Sequence, residues 1–472
     1  MMNGFRHPMF GPKSGRTRCL VFCAAVSACL IGRADLALAQ SVQGPPPLLP
    51  PQTAALPTGA GALTLDQWLL SPSLGVSSFY DSNVYSSSAP PITHGPGFDI
   101  HPSLLAEFNT GIFDTSLYGN IDSKIYPTLD PLNDTFNRQA GFVQKYSPLP
   151  DLIFTAQGNY THNTYANVLV NSTTPAVQAV PSPIISPANP ATPGAAGVVA
   201  GQQVVVSPND TYTVQGSAYK EFNRAFATLG GALVRTIYET TPSFDYNLAS
   251  YNGGGGIWFT PLLYAFANGA QSLYQPAVGV SSVSYFARGG IGSDRIGLFQ
   301  GSIYGGNQGT TIANGGGAAG GDLYGGTISY FPTDVWTMSL EVDRLRNISN
   351  ITSATNQALG GFAGGFPGAS GLSLSGIGLS TNQSTQITTI SYRSNYAFSP
   401  QTSAFAVASV TPIDYLGTSQ VAYTWFAALG IRHQLRDDLT LTFDYNYSRY
   451  LSGLPTGSFN RDFISIGAIY TF

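Results

Sequence analysis

The sequence is poor in charged residues. Only 9% of its 472 residues are charged, whereas a soluble globular protein usually carries about 25%. A surface that meets water on all sides therefore cannot be built from this composition. Intrinsic disorder is excluded as well, because 12% of the residues are aromatic and the net charge is only −4.

Long apolar runs are also missing. After the first thirty-odd residues, no stretch approaches the ~20 apolar residues that a transmembrane helix requires. The 54 glycines and 32 prolines follow no Gly-X-Y repeat, which excludes collagen. The chain is nevertheless 43% hydrophobic. A chain that is apolar in sum, but in no long piece, is typical of a transmembrane β-barrel, in which apolar positions alternate with polar ones.

Residues 1–39 are predicted to be a secretory signal peptide. A basic start precedes the uncharged run 19–32, and Ala37-Leu38-Ala39 offers a cleavage site with small residues. A lipid attached to Cys29, within Val26-Ser27-Ala28-Cys29, is the alternative. All three cysteines lie in this segment, so cleavage after Ala39 would leave no disulfide and no thiolate metal site.

The remaining chain divides into a linker and a barrel. Residues 40–69 are rich in proline and are predicted to be an extended periplasmic linker, and residues 70–472 are predicted to be the barrel. After residue 39 the chain holds 15 basic and 23 acidic residues, a net charge of −8. A nucleic-acid partner is not expected, because its phosphates favour a basic protein.

Period-2 alternation runs through the predicted barrel. In 439–448, for example, apolar Leu441 and Phe443 alternate with polar Thr442 and Asp444, as in a strand with one face in lipid and the other in water. Eighteen such segments are predicted, beginning with 74–85, and sixteen is the alternative. Short connections, such as one at Ser293-Asp294, alternate with long ones. The alternation predicts a closed antiparallel barrel, with short turns and both ends in the periplasm and long loops outside.

The two longest extracellular loops are predicted at 164–209 and 348–382. From Val168 to Asn209 the first of them carries no charge and seven prolines. Two interpretations remain open for it: a plug that folds into the lumen, or a disordered loop.

Charged residues on the polar faces of the strands are the candidate pore-lining residues. A charge facing lipid near the bilayer centre is costly, so these side chains are expected to point into the lumen. The candidates are Asp114, Asp122, Lys124, Glu341, Asp343, Arg393, Arg432 and Asp444. Five acids against three bases predict a weak cation preference at most. A purely structural ladder of charges is the alternative.

The C-terminus carries the most specific local signal. Gly467, Tyr470 and Phe472 occupy the offsets of a polar-x-Gly-x-x-aromatic-x-aromatic ending, which resembles the assembly signal of outer-membrane proteins. A last strand with a free edge can be engaged by the barrel assembly machinery through edge pairing, and it must then pair with the first strand to close the sheet.

Residues 75–85 carry a family resemblance. The stretch Phe79-Tyr80-Asp81-Ser82-Asn83-Val84-Tyr85 resembles the opening of the proteobacterial β-barrel porin type 2 family, and the similarity extends over roughly 70–472. The resemblance implies an outer-membrane channel without catalytic residues, and some relatives are associated with exopolysaccharide export. Asp81 and Asn83 are interpreted as the end of the first strand, with a Ca²⁺ site as the alternative.

The leading functional hypothesis is a porin-like channel in the bacterial outer membrane for passive diffusion of small hydrophilic solutes. One alternative is a conduit for an exported polysaccharide, with Tyr118, Tyr126 and Asp444 as candidates for a sugar track. Another is a structural or adhesive surface barrel with a blocked lumen. The histidines after the signal segment are scattered without metal-binding spacing. We expect outer-membrane lipid as a partner, and neither an enzyme nor a cofactor.

Overall fold

The computed structural model describes residues 63–65, 68–84, 92–129, 134–164, 208–239, 245–277, 281–312, 318–348, 384–415, 421–451 and 458–472. These residues form nineteen β-strands and contain no helix that could cross a membrane. The strands are β1 (Leu63–Leu65), β2 (Trp68–Asp81), β3 (Gly95–Asn109), β4 (Phe113–Ile125), β5 (Thr135–Leu149), β6 (Leu152–Asn163), β7 (Asn209–Phe222), β8 (Ala225–Tyr238), β9 (Tyr246–Trp258), β10 (Leu263–Pro276), β11 (Ser282–Ile296), β12 (Phe299–Ile312), β13 (Ala318–Thr333), β14 (Trp336–Ile348), β15 (Ser384–Ser399), β16 (Thr402–Tyr415), β17 (Val421–Arg436), β18 (Leu439–Leu451) and β19 (Phe459–Thr471).

Strands β2 to β19 close into a barrel. Each strand pairs antiparallel with the next, and β19 pairs with β2 in a register from Phe463↔Asp81 to Thr471↔Ser73. Closure gives every barrel strand two neighbours and removes the free edges of the sheet. The eighteen-stranded antiparallel barrel predicted from the sequence is thereby confirmed.

The short strand β1 lies beside the start of β2. It pairs with β2 in the register Leu63↔Leu70, just beyond the point where the Phe472 N–H donates to the Pro72 carbonyl. Strand β1 therefore pairs with the first residues of β2, which lie beyond the end of β19. This strand and the first residues of β2 lie in the stretch that was predicted to be linker, and β2 ends at Asp81 rather than at Tyr85.

The two faces of the wall differ as the alternation predicts. On β4, Phe113 and Ile125 are exposed, whereas Ser116 and Asp122 between them are buried. In the described part of the chain, exposed large apolar side chains occur on every barrel strand except β16, with Ile303, Ile466 and Leu229 among the most exposed. A belt of such side chains is stable only in hydrocarbon. The chain is therefore an outer-membrane barrel, with its polar face inside.

All the short turns lie at one end of the barrel, which is the periplasmic end. Asn223 takes a positive φ of 52° in the turn between β7 and β8. The turn predicted at Ser293-Asp294 is wrong: β11 continues to Ile296, and the chain reverses at Gly297 instead. Gly297 has a φ of +62°, which glycine adopts without steric cost. The two long loops predicted at 164–209 and 348–382 fall almost entirely outside the described residues.

Candidate functional site: the inner wall of the barrel

The eight candidate pore-lining residues all lie on the inward face of their strands. Asp114, Asp122 and Lys124 alternate with the exposed apolar residues of β4, and Glu341 and Asp343 follow the same rule on β14. The other three lie on β15, β17 and β18, namely Arg393, Arg432 and Asp444. Their contribution to solute passage stays a prediction.

Opposite charges lie next to each other along this wall. Glu341 and Arg393, on adjacent strands, are only 4% and 5% exposed and attract each other electrostatically. Arg432 and Asp444 form a second pair across β17 and β18. Asp114 lies opposite Lys145 of β5. Where the charges are paired in this way, little uncompensated field remains in the lumen.

Arg288 of β11 completes a fourth pair and was missed by the sequence analysis. Its Nε donates to Asn268 Oδ1 at 2.9 Å, and its guanidinium lies 4.3 Å from the centroid of the Tyr304 ring. Asp343, three strands away, attracts it electrostatically. Gly325 permits this arrangement, since a Cβ there would lie 2.5 Å from both Asp343 Oδ1 and the Tyr304 hydroxyl. The alternating pattern of β11 placed Arg288 inward, but nothing in the sequence marked its partner.

A further polar group lies on β3 and β4. Asp99, Asp122 and Lys124 are each less than a tenth exposed, and His101 Nδ1 lies 3.7 Å from Asp99 Oδ2. One carboxylate oxygen of Asp99 and one of Asp122 accept no hydrogen bond from the described residues. Lys124 Nζ also lies 5.8 Å from the centroid of the Phe463 ring. This part of the wall is acidic and is balanced chiefly by one lysine.

An ion pair locks the seam between the first and last barrel strands. Arg461 of β19 donates through Nε to Asp81 Oδ1 at 2.9 Å and through Nη2 to Asp81 Oδ2. The Asn83 backbone N–H adds a bond to Asp81 Oδ1 at 3.0 Å. Asp81 is fully buried. Asp81 therefore ends β2 and binds an arginine, which supports its interpretation as a structural residue over a calcium ligand.

Inward aromatic rings are buried against one another. Tyr219, Phe226, Tyr264 and Phe266 form one cluster near the periplasmic end. Tyr126, which was considered for a sugar track, is packed with Phe79 and Phe463. A ring that stacks on sugars must present a free face, and these rings are covered by protein. Tyr118 is half-buried and donates to Asn159 Oδ1 at 3.2 Å.

The C-terminal residues lie where β19 meets β2. Gly467 pairs with Ser77 and Tyr470 with Leu74. The Tyr470 and Phe472 rings pack edge to face, with their centroids 4.8 Å apart. Both rings are exposed on the lipid side near the periplasmic end, the level of an interfacial aromatic girdle. Recognition of this ending by an assembly machinery stays a prediction.

Comparisons with known proteins find resemblance only at the level of architecture. No family model matches the chain, and no curated protein matches its sequence. Among solved structures, it is similar to the outer membrane protein OpdK from Pseudomonas aeruginosa (8% identity, TM-score 0.42, covering 85% of this chain and 99% of that one). It is also similar to a BenF-like porin from Pseudomonas fluorescens (10%, 0.44, 85% and 99%) and to the channel DcaP of Acinetobacter baumannii (10%, 0.40, 87% and 100%). These likenesses are distant, and the barrel itself is established by the strand pairing.

Proposed function

We propose that this protein is a porin-like channel for passive diffusion of small hydrophilic solutes across the outer membrane. The supporting observation is the contrast between the two faces of a closed eighteen-stranded barrel, a strand number at which barrels can hold an aqueous channel. Small hydroxyl residues recur on the inner face, strand after strand. Examples that are only partly buried are Ser103, Thr155, Thr161, Thr213 and Thr442.

Passage through such a wall requires no bound intermediate. Hydroxyl groups can exchange hydrogen bonds with water and with a polar solute, so neither is held tightly. The paired charges add local dipoles rather than a field of one sign, and the preference between cations and anions is therefore weak. Discrimination between solutes then depends on their size relative to the width of the lumen.

Conductance of the refolded protein in planar lipid bilayers tests the proposal. The chain from residue 40 onward, refolded in detergent, should give stable ohmic steps in potassium chloride. Vesicles that contain it should swell in small sugars and not in large ones. Absence of conductance from protein that is folded by circular dichroism would contradict the channel and favour a surface barrel with a blocked lumen.

A charge variant tests whether the inner wall meets the permeating ions. Arg288→Gln leaves Asp343 without its arginine, and the reversal potential in a salt gradient should move toward cation selectivity. One unit charge at roughly 8 Å in water contributes about 0.5 kcal/mol, which corresponds to an approximately twofold change in permeability ratio.

The matched control is Arg449→Gln, which removes an arginine from the outward face of β18. It should leave the reversal potential unchanged. Equal shifts from the two variants would show that the overall charge of the protein, and not the inner wall, sets the selectivity.

A further inference from the structure

Three side chains with metal-binding atoms converge at the loop end of β6, β7 and β8. His162 is the last residue but one of β6, Asp210 is the second residue of β7, and Glu239 directly follows β8. His162 and Asp210 are paired in register. One possible ligand atom of each residue lies within 4.8 Å of those of the other two.

The trio lies on the outside of the barrel, not in the lumen. His162 and Asp210 share the outward face with Tyr160 and Tyr212, whose rings pack with centroids 5.2 Å apart. The side chains of His162 and Asp210 are 12% and 25% exposed, and Glu239 is exposed. This is the end of the strands that carries the long extracellular loops. The group therefore lies where the outer surface of the membrane meets water, and a dissolved ion can reach it.

Hydrogen bonds position two of the three side chains. His162 Nδ1 lies 2.9 Å from Asp210 Oδ1, and the Tyr160 hydroxyl donates to the same oxygen at 2.8 Å. Nδ1 and Oδ1 thus face each other, and a metal ion that binds both would take the place of the proton they share in the metal-free protein. Arg138 Nε donates to the Tyr160 hydroxyl at 3.3 Å. Within the described part of the chain, His162 is the one basic side chain at ion-pair distance from Asp210.

We propose that His162, Asp210 and Glu239 bind one divalent transition-metal ion of the zinc class on the outer rim of the barrel. One imidazole nitrogen with carboxylate oxygens suits zinc, whereas Mg²⁺ and Ca²⁺ prefer oxygen ligands alone. Zinc bonds of about 2.0–2.2 Å place tetrahedral ligand atoms roughly 3.4 Å apart. The present separations are at most 4.8 Å, so binding would require these side chains to move closer together. The ion would also neutralise the two adjacent carboxylates.

Zinc titration of the refolded barrel tests the site. The protein is prepared without a polyhistidine tag, stripped with a chelator and titrated with zinc chloride, with calorimetry for affinity and elemental analysis for stoichiometry. We expect one zinc ion per chain. His162→Gln, Asp210→Asn and Glu239→Gln should each weaken binding at least about tenfold.

Two outward histidines serve as matched controls. His94, beside Tyr80, and His433, beside Thr402, lie away from the trio, and His94→Gln and His433→Gln should retain full zinc affinity. A second measurement separates lost binding from lost folding, because zinc should raise the melting midpoint of the unmodified barrel and not that of folded His162→Gln.

Three results would each overturn the proposal. They are an unmodified protein that takes up no zinc, zinc affinity that is unchanged in all three trio variants, and tighter binding of Mg²⁺ or Ca²⁺ than of zinc. None of them bears on the channel proposed above, because the trio faces away from the lumen.

Discussion

Replacing Arg461 by leucine is expected to destabilise the barrel by about 3–5 kcal/mol, the usual cost of removing one partner of a buried ion pair. Asp81 is fully buried and takes two hydrogen bonds from this guanidinium. Leucine removes both bonds and leaves a carboxylate that water cannot reach. Because the pair joins β19 to β2, across 380 residues of sequence, the loss falls on barrel closure. Equilibrium unfolding of vesicle-inserted protein in urea measures it.

A double variant and an exposed pair complete this experiment. Adding Asp81→Asn to Arg461→Leu should recover part of the loss, since no uncompensated charge remains. Asp438→Asn is the control: Asp438 lies in an exposed periplasmic turn, where its hydrogen bond from Arg436 holds the pKa of that carboxyl below its usual range. Its removal should change stability little. If Arg461→Leu behaved like this control, the seam pair would have no structural importance.

The strands could be predicted from the sequence because their signal is local. Alternation of exposed and buried side chains repeats every two residues, so β4 and β18 were visible within short windows. The turn after β11 was misplaced for a related reason. Ser293-Asp294 has typical turn composition, but Ser293 still pairs with Gly301, and the reversal waits for Gly297. Composition indicated a turn nearby, but its position is set by the residue that can adopt a positive φ, which is Gly297.

The partners of the charged residues could not be predicted, since they depend on closure and register. Asp81 meets Arg461 only because the last strand returns to the first. His162 meets Asp210 across the predicted loop 164–209, so no metal-binding spacing exists in the sequence. Arg288 and Asp343 lie near each other because Gly325, which has no side chain, leaves space on the inner face of the sheet between them. Sequence alternation thus assigns a side chain to a face, while three-dimensional pairing determines which charges compensate one another.

The outward face itself is tested by placing an arginine at two depths of the same strand. Ile303 of β12 is 68% exposed, and Phe299, four residues earlier on the same face, is 51% exposed beside the periplasmic turn. Ile303 therefore lies roughly 10 Å deeper in the membrane. Ile303→Arg should lower the free energy of unfolding by about 2–4 kcal/mol, whereas Phe299→Arg should lower it by about 0–1 kcal/mol. Urea unfolding in vesicles measures both variants. Equal costs at the two depths would mean that this face does not lie in hydrocarbon, and the assignment of inside and outside would have to be reversed or abandoned.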